Sequence, residues 1–249
     1  MALILSIETS TTVCSAALHD NGKLIASKEL LTPQSASSQL ALIINNLLKD
    51  LSISTKDIKA VAVASGPGSY TGLRIGVATA KGFCFALKIP LIAINTLELM
   101  AYQLKHTSPS PFSPSPLLTK PSAWERGLGG EVSDVLLCPM LDARRMEVYC
   151  LLADSDLNSV ESTQAKVIDQ ESFKEWFDKK IIFFFGNGAD KCKELLKHPN
   201  ARFIEKINPS ASKLGEMAFQ KFEKTEFENL SSFEPHYLKE FLVKKPKTV

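Results

Sequence analysis

The residues best suited to chemistry form a glycine-rich stretch in the first half of the chain. Residues 65–76 read Ser-Gly-Pro-Gly-Ser-Tyr-Thr-Gly-Leu-Arg-Ile-Gly, between an apolar run and a helical pattern of small residues. A glycine loop between a strand and a helix can point backbone N–H groups at a phosphate, helped by the positive end of the helix dipole. In that case Gly66 and Gly68 would contact the phosphate.

The same loop can instead be a tight packing corner. Its pattern is Gly-Pro-Gly-x-x-x-Gly, with no lysine after the last glycine. A Walker loop would have that lysine, and the dinucleotide fingerprint would have a different glycine spacing. These departures favour a packing or interface corner over a phosphate site.

Asp142 and Arg144 lie in a polar turn between the apolar runs 135–141 and 146–152. They could be a catalytic pair, or an ion pair that fixes a hairpin, and the second interpretation is favoured. No serine has an adjacent histidine and aspartate that the sequence can place, which argues against a serine hydrolase. The histidines share no metal-ligand spacing; they are His19, His106, His198 and His236.

Composition indicates an ordinary globular protein. The chain has 249 residues, 45% of them hydrophobic, and a formal net charge of +2. The five cysteines include no CxxC pair, so we expect reduced thiols. Met1 leads directly into an apolar run without a basic region, and no apolar run approaches the length of a membrane span. We therefore expect a cytoplasmic protein with no membrane partner.

The first half predicts the elements that must hold the glycine loop. Three apolar runs, two of them joined by the hairpin signal Asn21-Gly22, predict an antiparallel meander. Strands and helices then alternate, which gives the order β-β-β-α-β-α-β-α. The predicted strands are 2–7, 13–18, 23–31, 58–64 and 90–95, and the predicted helices are 35–50, 74–87 and 96–105.

The second half repeats this arrangement after an interruption. Residues 107–133 are rich in Ser-Pro pairs and glycine, which predicts an insertion without regular structure. We then predict strands over 135–141, 146–152, 164–168 and 181–185, and helices over 172–178, 190–196 and 210–224. The sequence thus predicts a duplicated α/β unit with a cleft, divided into a first lobe 1–106, the insertion 107–133 and a second lobe 134–249.

Four blocks of sequence together resemble the TsaB (YeaZ) family. In chain order they are Ile7-Glu8-Thr9-Ser10, the glycine loop 65–76, Leu141-Asp142-Ala143-Arg144 with Glu147-Val148-Tyr149, and Pro235-His236-Tyr237-Leu238-Lys239. The glycine block is highly specific, the Asp-Ala-Arg block moderately so, and the first block is weak alone. The resemblance covers nearly the whole chain except 107–133.

The resemblance implies a fold and a function. The fold is the ribonuclease H-like or actin-like ATPase fold of actin, sugar kinases and Hsp70-type ATPases, with a mixed five-stranded sheet in each lobe. The function is that of a non-catalytic subunit, which supports the catalytic homologue TsaD in making threonylcarbamoyladenosine (t6A) at adenosine 37 of tRNA. TsaE, an ATPase, would be a further partner. The chain would form a homodimer when alone and reach tRNA only indirectly.

The resemblance also bears on metals and cofactors. Catalytic relatives bind a metal through two histidines four residues apart, and Thr96 and Met100 stand at those positions. A hydroxyl and a thioether cannot replace an imidazole pair, so we expect no metal centre and no catalytic residues. No cofactor is expected to be required by this chain, whereas ATP or ADP with magnesium is possible at the interface of the complex.

Glu8 and Thr9 are the remaining candidates for cofactor binding. Glu8 stands where ATPases of this fold carry an acidic residue near the phosphates. It could be a magnesium-linked carboxylate, or a polar strand end that caps the turn over residues 9–12, which is favoured. The turn 186–188 could likewise be the nucleotide-side loop of the second lobe, or a strand-to-helix turn that needs positive φ.

We expect the partner surface on the first-lobe helices, which form the TsaD interface in this family. The apolar stripe within residues 35–50 has more large side chains than one lobe face is expected to bury. The expected interface residues are Ser35, Gln39, Leu40, Ile43, Leu47, Tyr70, Arg74, Gly76, Val77, Ala80 and Phe83. Two alternative functions remain: a stand-alone ATP-binding phosphotransferase or ATPase of the same fold, and a glycoprotease-type metallopeptidase.

Overall fold

The computed structural model describes residues 2–31, 35–107 and 135–239, without the side chains of residues 35–37. The predicted insertion, apart from Thr107, lies outside the described residues, and so does the lysine-rich tail after residue 239. Within the described ranges, none of the helices is both long enough and apolar enough to cross a membrane.

The first sheet contains the strands β1 (Leu3–Glu8), β2 (Cys14–Asp20), β3 (Lys23–Leu30), β4 (Ala60–Gly66) and β5 (Leu91–Asn95). Their order is β3-β2-β1-β4-β5. β1, β2 and β3 pair antiparallel, and β4 and β5 run parallel to β1. The predicted hairpin turn is confirmed, because Asn21 and Gly22 have φ of 48° and 78°, as tight hairpin turns require.

The second sheet contains the strands β6 (Val135–Asp142), β7 (Glu147–Asp154), β8 (Ser159–Val167), β9 (Ile181–Phe185) and β10 (Ala201–Ile204). Their order is β10-β9-β6-β7-β8. Three antiparallel strands are again followed by two parallel ones. The second sheet repeats the topology of the first, which confirms the predicted α/β fold with two mixed five-stranded sheets.

The described helices lie between the two sheets and on their outer faces. They are α1 (Ser35–Asp50), α2 (Tyr70–Leu87), α3 (Thr96–Lys105), α4 (Lys174–Phe177) and α5 (Ala211–Glu223). α1 and α2 pack on one face of the first sheet, and α5 packs on the other. α3 packs against the second sheet, whose far face is covered by α4. The cleft between the lobes therefore has α3 and α5 at its base.

The position of α5 in the sequence does not match the sheet on which it packs. This helix follows the second sheet in sequence, yet Leu214 and Ala218 are buried against the first sheet. The segment after α5 also returns to the first lobe, where Glu228 forms an isolated bridge with Leu91. The division at residue 134 remains a prediction from sequence, and α5 crosses it in space.

Several elements of the second lobe differ from the predictions. β8 begins at Ser159 and not at residue 164, and the predicted helix 190–196 is only a 3-10 turn over Asp190–Cys192. β10 was missed. It is an edge strand of four half-buried residues, Ala201–Ile204, and so short a segment with a central arginine shows no alternation.

Candidate functional site

The glycine loop packs against the turn that follows β1. The backbone N–H of Ser69 donates to the carbonyl oxygen of Ser10 at 2.6 Å. The hydroxyl of Thr9 donates to the carbonyl oxygen of Gly72 at 2.8 Å. The loop and the turn are thus joined from both sides.

Three glycines permit this contact. A Cβ on Gly68 would lie 2.4 Å from the carbonyl oxygen of Ser10, and one on Gly72 would lie 2.1 Å from that of Thr9. A Cβ on Gly76 would lie 2.3 Å from the Thr9 hydroxyl oxygen. At these three glycines the nearest neighbouring atoms belong to Thr9 and Ser10, and the Ser69 N–H already donates to Ser10. This close contact is the geometry of a packing corner, and whether Gly66 and Gly68 contact a phosphate stays a prediction.

Glu8 lies at the carboxyl end of β1 and is fully buried. Its Oε1 accepts a hydrogen bond from the Ser10 N–H at 2.5 Å, as expected of a strand end that caps the following turn. Its Oε2 has no hydrogen-bond partner among the described residues. Burial raises the pKa of Glu8 from 4.5 to about 7, against the lowering effect of its hydrogen bonds with Ser10.

Metal ligands are not clustered in the residues that the structure describes. Within the part of the chain that it describes, no group of three histidine, cysteine or acidic side chains could hold an ion. Thr96 and Met100 are both buried. The Met100 Cε would be 2.5 Å from a Cβ on Gly186, so this side chain packs across the lobes.

The C-terminal segment brings two of the motif blocks to the glycine loop. The backbone N–H of His236 donates to the carbonyl oxygen of Ser65 at 2.7 Å. The rings of Tyr237 and Tyr70 lie 4.9 Å apart. Lys239 then forms an ion pair with Glu147 at the start of β7. Blocks that are far apart in sequence therefore meet where the two lobes face each other.

The predicted ion pair between Asp142 and Arg144 is wrong. The Asp142 carboxylate accepts from the backbone N–H of Arg144 at 2.9 Å and pairs with the ammonium of Lys191. Burial alone would raise the pKa of Asp142, but these two donors outweigh it and leave the pKa below its usual value. Lys191 also donates to the carbonyl oxygens of Arg145 and Glu147, each at 2.7 Å.

The turn after β9 supports the same hairpin. Its Asn187 side chain accepts a hydrogen bond from the backbone N–H of Asp142 at 3.0 Å. Gly186 has a φ of +99°, and a Cβ there would lie 2.4 Å from the carbonyl oxygen of Met140. The positive φ expected of this strand-to-helix turn is present. Its possible role as a nucleotide-side loop remains a prediction.

The apolar stripe of α1 is buried inside the lobe. The expectation that one lobe face could not bury it is wrong, because the exposed fraction of Leu40, Ile43, Ile44, Leu47 and Leu48 is 6% or less. On α2, three further expected interface residues are also buried, namely Gly76, Val77 and Ala80. These residues are therefore buried within the lobe itself, and their contact with a partner stays a prediction.

The remaining expected interface residues lie nearer the surface. Arg74 is exposed, and Gln39, Tyr70 and Phe83 are half-buried. The side chain of Ser35 is outside the described residues. Whether these positions contact a partner stays a prediction.

The outward face of α2 includes the expected interface residue Arg74 and extends to Phe85, which the expected interface did not include. It consists of positions three or four residues apart, which fall on one side of a helix: Thr71, Arg74, Ala78, Gly82 and Phe85. The exposed fraction of Phe85 is 81%, and a Cβ on Gly82 would have no neighbour within 4 Å. These positions lie nearly half a turn around the helix from the buried positions of α2.

Comparisons with known proteins give relatives that match part of this chain. The protein of Escherichia coli K12 described as tRNA threonylcarbamoyladenosine biosynthesis protein TsaB is 38% identical over 98 residues, 39% of this chain and 42% of that protein. The protein of the same description from Bacillus subtilis 168 is 32% identical over 146 residues, 59% and 52% of the two chains. Over the matched residues, this chain is similar to proteins described as TsaB.

Other matches are to proteins described as threonylcarbamoyltransferases. Residues 31–119 match the family described as TsaD, tRNA N6-adenosine threonylcarbamoyltransferase. A transferase of that description from Pediococcus pentosaceus is 34% identical over 133 residues, 47% of this chain and 39% of that protein. The matched parts span about two-fifths to one-half of these curated relatives.

A solved structure shows the same fold over nearly the whole chain. The protein described as YeaZ from Pseudomonas aeruginosa matches with a TM-score of 0.75 and 21% sequence identity. The match covers 96% of this chain and 100% of that one. The described residues therefore share the fold of that YeaZ structure.

Proposed function

We propose that this chain is a non-catalytic subunit in t6A biosynthesis, which binds and supports the catalytic threonylcarbamoyltransferase TsaD. The relatives named for this pathway support the proposal. The observation in this molecule that carries it is the outward face of α2, where a phenylalanine is 81% exposed beside a helix surface of small residues.

Such a face suits a second helix. Small side chains let two helix backbones approach closely, and Phe85 supplies a large apolar group for burial. Fully burying a phenylalanine side chain contributes about 1.5–3 kcal/mol. Leu42 on the neighbouring helix α1 is also 51% exposed. A partner that covers both helices would remove this apolar surface from water.

The same surface would serve a homodimer when TsaD is absent. In the complex, the ATPase TsaE would join at the shared interface, and tRNA would be bound through the partner. The closed glycine loop supports a chain that needs no nucleotide of its own. ATP or ADP with magnesium would bind at the interface of the complex.

The test introduces a large side chain on the outward face of α2 without disturbing the packing of the first lobe. Gly82→Trp projects into open space, because a Cβ there has no neighbour within 4 Å. The matched control is Gln220→Trp, at an exposed position of α5. Gly76→Trp would be a poor test, since its Cβ would collide with Thr9 and the lobe itself would be disrupted.

Both variants are purified, checked for an unchanged melting temperature, and mixed with TsaD and TsaE from the same organism. We expect Gly82→Trp to lose co-elution with TsaD and to abolish t6A formation on tRNA, whereas Gln220→Trp retains both. An intact complex with Gly82→Trp would refute this surface. Formation of t6A at the full rate without this chain would refute the proposed function.

A further inference from the structure

A groove of about 360 Å³ runs along α3 between the two lobes. We call it the α3 groove. Its base is α3, with Glu98 and Ala101 facing it, and one wall is the edge strand β8. Met217 of α5 and His236 of the C-terminal segment close the other side. The α3 groove is therefore separate from the outward face of α2.

The floor of the α3 groove is apolar. Leu151 and Ala153 of β7 lie beneath it and are buried, and Leu157 from the β7–β8 turn lies at its end. Ala101 and Met217 add further apolar side chains to the lining. A surface of this kind favours an aliphatic group, because covering apolar area contributes about 25 cal/mol per Å².

The rim of the α3 groove carries hydroxyl groups on one side. Ser159, Ser162 and Thr163 all belong to β8. Thr163 is held in place, since its hydroxyl oxygen accepts from the Asn95 side chain at 3.0 Å. Asn95 in turn is fixed by accepting from the N–H groups of Leu97 and Glu98. The polar rim is thus positioned before any ligand arrives, as in most small-molecule sites.

The charge of the lining is negative. Among the described residues, Glu98 is the one acidic residue of the lining, and neither lysine nor arginine belongs to it. Glu98 forms no ion pair with any residue in the described ranges. The nearby lysines are engaged elsewhere: Lys105 pairs with Asp156, and Lys213 pairs with Glu216.

We propose that the α3 groove binds an ammonium or guanidinium group carried on a short aliphatic stem. Glu98 would supply the opposite charge, the β8 hydroxyls would accept hydrogen bonds from the cation, and the apolar floor would cover the stem. The group could belong to a free small amine or to the side chain of a partner protein. This inference goes beyond the proposed function and does not depend on it.

The test uses the full chain and two probes of similar size and opposite charge. Butylguanidinium and pentanoate are each titrated while the amide and methyl signals are followed by NMR. We expect butylguanidinium to bind with a dissociation constant of roughly 1–10 mM, as its few atoms allow, and to shift the signals of Leu151, Leu157 and Met217. Pentanoate should shift none of them.

Variants of Glu98 test whether its negative charge determines which probe the α3 groove binds. Glu98→Gln should weaken the binding of butylguanidinium at least about fivefold, since the side chain that pairs with the cation loses its negative charge. Glu98→Lys should reverse the preference towards pentanoate. The matched control is Glu175→Gln, an exposed glutamate in the first turn of α4, on the far face of the second sheet. It should bind butylguanidinium like the unaltered chain.

A peptide-borne probe distinguishes the two sources of the cation. Nα-acetyl-arginine methylamide is titrated beside butylguanidinium, and Glu98-dependent binding of either probe supports the proposal. Tighter binding of the acetylated residue indicates a partner's side chain, and tighter binding of butylguanidinium indicates a free amine. Equal affinity for pentanoate, an unchanged affinity in Glu98→Gln, or no shifts up to about 50 mM probe would overturn it.

Discussion

A side chain at Gly72 would begin 2.1 Å from the carbonyl oxygen of Thr9. This contact joins the first turn of α2 to the turn after β1, across 63 residues of sequence. Because the opposing atom belongs to the backbone, it cannot move aside as a flexible side chain could. The position of α2 on the first lobe is therefore fixed by the absence of a Cβ at this glycine.

Replacing Gly72 with alanine should destabilise the protein by more than about 3 kcal/mol, since the methyl group must displace α2 or the turn. Gly82→Ala is the matched control, because its Cβ position is open. That change should stabilise the protein by about 0.5–1 kcal/mol through helix propensity. Urea denaturation of both variants measures the difference. If Gly72→Ala stabilised the protein and Gly82→Ala destabilised it, the assigned packing would be contradicted.

Glu8 should make the stability of the protein depend on pH near neutrality. Its pKa is about 7 in the folded chain and 4.5 when unfolded, so the folded state binds the extra proton between these values. The contribution is present below pH 4.5 and is lost as the pH rises through 7. At about 1.36 kcal/mol per unit, the loss between pH 4.5 and 8 approaches about 3 kcal/mol.

The variant Glu8→Gln removes this titration and keeps an acceptor for the Ser10 N–H. The free energy of unfolding should therefore fall more in the original protein than in Glu8→Gln when the pH is raised from 5 to 8. His19, whose pKa is lowered chiefly by burial, is common to both proteins and cancels in the comparison. Parallel pH profiles would show that the Glu8 carboxyl is not held neutral.

Asn95 should stabilise both α3 and the contact between the lobes. Its side chain accepts from the N–H groups of Leu97 and Glu98, and it donates to Thr163. Asn95→Ala should cost about 1–2 kcal/mol, as the loss of a helix cap does. Thr163→Val, which removes only the bond between the lobes, should cost less than half of that. Equal costs, measured by thermal denaturation, would mean that the cap contributes nothing.

The first sheet could be predicted because its strands carry their signals locally. The run Val61-Ala62-Val63-Ala64 is apolar throughout, as a strand covered on both faces should be, and Asn21-Gly22 marks a hairpin. β10 shows the limit, since an edge strand of four residues has too few positions to display a period.

The partners of the site residues could not be predicted in the same way. Lys191 lies 49 residues from Asp142, and nothing in either segment indicates the other. The burial of the α1 stripe is likewise a property of packing, because it depends on how far α2 and the first sheet cover it. The exposed Phe85 follows from the same geometry and could be found only by placing α2 on its sheet.

Lys191 should stabilise the β6–β7 hairpin more than an ordinary surface lysine. It pairs with Asp142 and donates to two backbone carbonyl oxygens. Lys191→Met should cost about 1–3 kcal/mol, the range for hydrogen bonds that involve a charged group. Lys197→Met is the control, because that lysine and its partner Glu194 are 69% and 83% exposed, and it should change the stability by less than about 0.5 kcal/mol.

The pH dependence of the stability lost in Lys191→Met identifies Asp142 as the partner of Lys191. The folded pKa of Asp142 lies below 3.8, so its pairing contributes fully above pH 3.8 and is lost as the pH falls through the folded pKa. The gap in unfolding free energy between the original protein and Lys191→Met should therefore be constant from pH 7 to 5 and narrow towards pH 3. A gap that stays constant to pH 3 would assign the effect of Lys191 to the two carbonyl oxygens alone.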